Sequence, residues 1–169
     1  MTANRQRVTF EDVEVGQDLQ PLVKGPLCTM HLMRWSAAME NWHRIHYDRT
    51  FAREHDKLPD ILINGSLKQQ FVLQLLKDWA GPDGWVWKVG FQFRAMNLVD
   101  ETLSVWARVK DRRDVGSYGL VELELGIRNA ADLESTPGSA TVALPHRNGP
   151  PVPYPFRAPA PDARGARHE

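Results

Sequence analysis

The sequence predicts an α+β fold, a single domain in which a strongly curved antiparallel β-sheet wraps around one long central helix. Three observations point to it. The stretch 66–79 carries apolar residues at helical spacing, the stretches after it alternate apolar and polar residues, and loops rich in Asp, Gly, Asn and Pro separate those stretches. One amphipathic helix has a single apolar stripe, which suits it to cover one face of such a sheet.

Taken in order, an early strand is expected near Leu19 to Lys24. A helix follows over 30–42, with Thr29 as its N-cap and Leu32, Trp35, Ala38 and Met39 at helical spacing. A short helix is expected in TFAREHDK (50–57), capped by Asp48. The long helix runs from about Ser66 to Trp79. Leu67, Phe71, Leu75 and Trp79 recur at i, i+4, Val72 and Leu76 widen the stripe, and GPDG at 81–84 stops it.

The period then changes to two. Val89, Phe91 and Phe93 oppose Lys88, Gln92 and Arg94. Leu103, Val105, Ala107 and Val109 alternate with Ser104, Trp106 and Arg108. Val121, Leu123, Leu125 and Ile127 alternate with Glu122, Glu124 and Arg128, and a shorter run covers 139–144. These strands are expected to pair as an antiparallel meander. The domain spans 1–145, and a Pro-rich tail occupies 146–169. Residues 145–169 hold seven of the twelve prolines, which favours extended chain. That stretch reads as a loose tail or as an arm docked through Tyr154 and Phe156; the tail is expected for its last ten residues.

Composition limits the function classes. The chain has 169 residues, 42% of them apolar, with 21 Lys+Arg against 21 Asp+Glu. That balance argues against nucleic acid or an anionic membrane as the main partner. A single cysteine, Cys28, forms no internal disulfide, and no stretch resembles a signal peptide or a membrane span, so a cytoplasmic location is expected.

The stretch Glu40-Asn41-Trp42-His43-Arg44-Ile45-His46-Tyr47-Asp48-Arg49 concentrates chemistry. Histidine moves protons near neutral pH, and a helix-to-loop junction exposes it to a cleft. A capped helix end with solvated polar residues is the alternative that the residues alone leave open. Arg44 is expected to pair with Asp48 or Glu40 in preference to meeting a ligand phosphate. His43, His46 and Asp48 could in principle ligate zinc, but no other Cys/His cluster supports closed coordination, so no metal is expected.

HRIHYD resembles the hydratase motif of MaoC-like enoyl-CoA hydratases and dehydratases, Gly-Asp-x-Asn-Pro-(Ile/Leu)-His. On that motif His46 takes the histidine, Ile45 the aliphatic position, Arg44 the proline, His43 the second asparagine and Asn41 the aspartate. The similarity is nearer to a branch that includes mesaconyl-CoA-type hydratases, where an asparagine at this position is expected. ILINGSLKQQ (61–70) resembles the start of the family's central helix, with Asn64 in place of a common histidine and Gly65 retained. FQFRAMNLVDETL (91–103) resembles a strand–turn–strand of the same family, with Asp100 for a glycine. The resemblance covers residues 8–144.

It implies the hot-dog fold, with hydration of an α,β-unsaturated acyl-CoA thioester or the reverse dehydration of a 3-hydroxyacyl-CoA, and no cofactor. His46 would carry the proton, Asn41 would orient the water, and His43 would be a second proton carrier or hold the thioester. Gly65 and Asn64 would bind the substrate carbonyl, since a glycine N–H at a helix start is open to negative charge. A homodimer or higher even oligomer is expected, because the sheet leaves an exposed edge. Two alternatives accompany this reading. One is a non-catalytic subunit paired with a second hot-dog chain. The other is a thioesterase, disfavoured because no Asp or Glu lies between Gly65 and Lys77.

Overall fold

The computed structural model describes residues 8–159. Its strands are β1 (Leu22–Lys24), β2 (Trp85–Phe91), β3 (Leu103–Asp114), β4 (Gly119–Asn129) and β5 (Gly138–Leu144); its longer helices are α1 (Thr29–Ala38) and α2 (Gly65–Ala80). The strands form one antiparallel sheet in the order β1-β3-β4-β5-β2.

β3, β4 and β5 make the predicted meander, but β2 departs from it. It lies at the far edge beside β5, with Trp85 opposite Ala143 and Phe91 opposite Gly138. Hairpins need loops of about 2–5 residues. The connection 92–102 is longer and crosses to the other side of the sheet. On the way it is held by Ile63 N–H donating to Asn97 O at 2.9 Å and by Val99 N–H donating to Ile61 O at 2.9 Å.

The apolar side of α2 buries Leu67, Phe71, Val72, Leu75 and Leu76 against the concave face of the sheet, where Val105, Val109, Leu123, Leu125, Ile127 and Val142 meet it. Each such side chain contributes about 1.5–3 kcal/mol when fully withdrawn from water. The predicted alternation of β4 holds, with Val121, Leu123, Leu125 and Ile127 all buried. On the opposite face, Tyr118, Leu120 and Ala143 form a smaller cluster with Val152 and Phe156 of the Pro-rich stretch. Val152 N–H donates to Asp83 O at 2.8 Å, the Phe156 ring stacks on Trp85 at 6.0 Å, and Tyr118 OH donates to Arg157 O at 2.6 Å. Residues 150–157 thus lie along their own domain. The expectation of a loose tail over the last ten residues falls outside the described residues.

α1 is shorter than its periodicity suggests. Cys28, not Thr29, is its N-cap, and it ends at Ala38. Glu40 turns into the left-handed region at φ 50°. Its N–H then donates to Ala37 O at 3.3 Å, and Asn41 N–H donates to Ser36 O at 2.9 Å. This pair of bonds is the Schellman arrangement, which satisfies carbonyls the helix leaves over. Among the described residues no helix is long and apolar enough to cross a membrane.

Candidate active site

The turn that ends α1 delivers Asn41 and the following residues to the start of α2. Asn41 Oδ1 accepts from His43 N–H at 3.3 Å, and His43 Nδ1 accepts from Ile45 N–H at 3.4 Å. These local bonds shape a 3-10 turn over Arg44–His46. Arg44 then pairs with Asp48 at 2.6 Å, and Asp48 Oδ1 caps the next short helix by accepting from Phe51 N–H at 2.9 Å. Arg44 and Asp48 are thus engaged with each other and with the next helix.

His46 alone of this group turns inward and is 9% exposed. Ile45 O accepts from Leu62 N–H at 3.0 Å, and Leu62 O lies 2.9 Å from His46 Nδ1. A carbonyl only accepts, so Nδ1 carries the hydrogen and Nε2 keeps its lone pair. Burial holds the His46 pKa below its ordinary value, the bond to Leu62 opposes that, and His43 adds to it. The imidazole is neutral at pH 7, with its tautomer set by the backbone of the segment leading into α2. The His43 ring lies 6.3 Å from the His46 ring, on the exposed side.

Three residues beyond Leu62, α2 begins. Asn64 is its N-cap and is 1% exposed. Its Nδ2 donates to Ser36 Oγ of α1 at 3.2 Å, while its Oδ1 is buried without a partner. The side chain makes no cap bond to the helix, so the first N–H groups, those of Gly65 and Ser66, remain available at the positive end of the helix dipole. Ser66 Oγ is occupied in a different way, accepting from Trp35 Nε1 at 2.8 Å. Gly65 is tightly approached from outside: a Cβ there would lie 2.9 Å from Phe93 Cε2.

The structure therefore brings His46, Asn64 and Gly65 to the two ends of one short segment, 62–65, with His43 beside His46. It does not join Asn41 to His46: the hydrogen bond that Asn41 Oδ1 makes is to the His43 backbone. Among the described residues, no group of His, Cys, Asp and Glu side chains is arranged to hold a metal ion.

Sequence reasoning passed over Ser36, Phe93, Asn97 and Lys68. Lys68 is 3% exposed, and its Nζ donates to Asn97 Oδ1 at 3.0 Å. A signal for it existed, since Lys68 stands one helical turn before Val72, on a flank of the apolar stripe where a charge is out of place.

A model of the family described as hydroxyacyl-thioester dehydratase type 2 matches residues 5–101, a span that holds every residue named above as a site candidate. No curated protein matches the sequence. Among solved structures, the (R)-hydratase of A. caviae involved in PHA biosynthesis is similar at a TM-score of 0.69 and 20% identity, over 80% of this chain and 99% of the other. The MaoC-like dehydratase of Rhodospirillum rubrum is similar at 0.72 and 14%, over 83% and 98%. The ChsH1-ChsH2 complex of Mycobacterium tuberculosis is similar at 0.67 and 18%, over 78% and 98%. At such identities the likeness is one of fold, and the fold is the hot-dog, a curled antiparallel sheet around a central helix. With the family model covering more than half of its length, the chain belongs to the hydroxyacyl-thioester dehydratase type 2 family.

Proposed function

We propose that this chain adds water to an α,β-unsaturated acyl-CoA thioester, or removes it from the 3-hydroxyacyl-CoA, with His46 as the proton carrier. The observation that carries this reading is the buried neutral His46, whose Nδ1–H is held by Leu62 O and whose Nε2 lone pair is free. In the hydration direction Nε2 takes a proton from water as the hydroxyl oxygen bonds to the β carbon. The π electrons move onto the thioester oxygen, which the Gly65 N–H stabilises at the helix N-terminus. The imidazolium then returns the proton to the α carbon as the carbonyl re-forms. Water has been added, and the enzyme is back in its starting state.

Asn64 supports this step through its unpartnered Oδ1, which accepts a hydrogen bond from the water or from a substrate group. Asn41 does not titrate, and its role is to keep the turn that aims His46 and to present its amide N–H groups to the water. His43, more exposed, contacts the thioester side. The substrate partner is an acyl-CoA, and the assembly is an even oligomer. β1 and β2 are the sheet's two edges, and the longer, β2, is the one we assign to pairing with a second hot-dog domain. That partner is a second copy of this chain, or a different hot-dog chain as in the ChsH1-ChsH2 complex. The amide at Asn41, where the general motif has a carboxylate, keeps the latter reading open, while the retained His46 argues against it.

Incubating the purified chain with a panel of enoyl-CoA and 3-hydroxyacyl-CoA thioesters, and following loss or gain of the conjugated thioester absorbance, tests the reading. Turnover of at least one thioester supports it. Activity only after a second hot-dog chain is added assigns the catalytic role to the partner.

A further inference from the structure

Lys68 is a buried cation on the central helix that the proposed reaction does not use. Its Nζ donates to Asn97 Oδ1 at 3.0 Å and to Ala95 O at 3.4 Å, and it lies 5.1 Å from the centre of the Phe93 ring. All three partners belong to the connection between β2 and β3. Phe93 is 52% exposed, and its ring lies where a Cβ on Gly65, the first residue of α2, would come within 2.9 Å of it. Asn97 is 1% exposed, its carbonyl accepts from Ile63 N–H at 2.9 Å, and its amide donates to Glu101 at 3.0 Å.

Burying an ammonium is costly, and packing alone would be served by Leu or Met at this place. Burial pushes the Lys68 pKa down to about 8, with the Glu101 carboxylate opposing it. Yet the charge is retained one turn from Gly65, and its hydrogen bonds go to neutral carbonyl oxygens, not to a carboxylate. The ammonium is thus arranged as a clamp. Two N–H bonds hold the chain at Ala95 and Asn97, and the charge faces the Phe93 ring, whose other neighbour is the Phe91 ring at 5.5 Å.

Resting on the function proposed above, we propose that Lys68 is a positioning residue. Through Phe93 and Asn97 it holds the connection over the start of α2, so that the Phe93 ring closes the outer side of the Gly65 N–H and keeps water away from the developing enolate oxygen. Phe93 is then the wall against which the thioester carbonyl is placed. A water-excluded donor stabilises charge better than a hydrated one.

The test is a double-mutant cycle with Lys68→Met and Phe93→Ala, read as kcat and KM separately, with hydrogen exchange of the 93–99 amides as a second measurement. Each single variant is expected to lower kcat at least tenfold while KM changes less than threefold. The double variant should be no slower than the slower single, because both remove the same wall. Exchange of 93–99 should accelerate in Lys68→Met and not in Phe93→Ala. Multiplicative losses in the double variant, or unchanged exchange in Lys68→Met, overturn the proposal. Should Lys68→Met fail to fold, Lys68→Gln takes its place in the same cycle with the same expectations. If the wild-type chain turns over no thioester, the functional reading has failed, and the exchange comparison alone still decides whether Lys68 holds the connection.

Discussion

Gly65→Ala separates a role in chemistry from a role in packing. The added methyl would lie 2.9 and 3.0 Å from Cε2 and Cζ of the Phe93 ring, against an ordinary contact of 3.4–4 Å. The ring must retreat by several tenths of an ångström. It can do so, because Phe93 is a side chain half open to solvent and not a backbone segment. Moving it off its preferred rotamer costs about 0.5–1.5 kcal/mol. The helix gains back at most part of this, since Ala is preferred over Gly by roughly 0.5–1 kcal/mol in a helix interior and Gly65 is the first residue of α2. The two partly cancel, so stability should change by no more than about 1.5 kcal/mol. Activity should not be spared. The methyl sits beside the N–H assigned to the thioester oxygen; the N–H remains, but a carbonyl kept from reaching it loses up to the about 10²–10³ in kcat that one such donor contributes. Denaturant unfolding and thioester hydration measured on one preparation give both numbers. Wild-type turnover with an unchanged unfolding midpoint would refute the assignment of Gly65, and destabilisation beyond about 3 kcal/mol would show that the ring cannot yield as argued.

Further outcomes follow from the same geometry. Asn41→Asp should preserve the fold and raise the His46 pKa, since a nearby carboxylate favours the imidazolium; the acid limb of the pH–rate profile then moves to higher pH, whereas Asn41→Ala lowers the rate with the limb unmoved. In the wild-type chain that limb should lie below the ordinary imidazole value of 6.5, because burial disfavours the charged ring. The sign for stability is the same: the unfolded chain binds the proton more readily, so His46 weakens the fold as pH falls through 6.5 and below, which acid unfolding of wild type and His46→Ala would reveal. Asp48→Ala removes the cap accepted from Phe51 and should cost about 1 kcal/mol in thermal or denaturant unfolding. Deleting 150–169 uncovers Tyr118, Leu120 and Trp87; the domain should still fold but lose about 2 kcal/mol, from burial of Val152 and Phe156.

Much of this architecture was legible in the sequence because it rests on periodicity. α2 and the inward faces of β3 and β4 follow from residues spaced by four or by two, and the structure buries Leu67, Phe71, Leu75 and the alternate residues of β4 accordingly. What periodicity does not encode is which strand lies beside which. The 92–102 connection contains no regular pattern; β2 is placed by its pairing with β5, and the connection's crossing is held by bonds to Ile61, Ile63 and Lys68. The end of α1 was obscured for a different reason. Met39 continues the apolar spacing, and the stop comes from Glu40 in a left-handed conformation that glycine would have announced. Within the site, the histidines of HRIHYD stand out by type and spacing. The bond that distinguishes the buried His46 from His43 is made to Leu62 O, sixteen residues away. Lys68 was the opposite case, a visible charge on an apolar flank whose meaning appears only once Phe93 and Asn97 surround it.

The central claim is that the buried imidazole of His46 carries the proton. It is tested most directly by the turnover of His46→Ala on the best thioester of the panel, with the fold checked by circular dichroism and sedimentation. A positioned acid–base group contributes about 10²–10⁴ in rate, so a folded His46→Ala should lose activity by at least two orders of magnitude. A folded His46→Ala that hydrates the thioester at the wild-type rate would contradict the account.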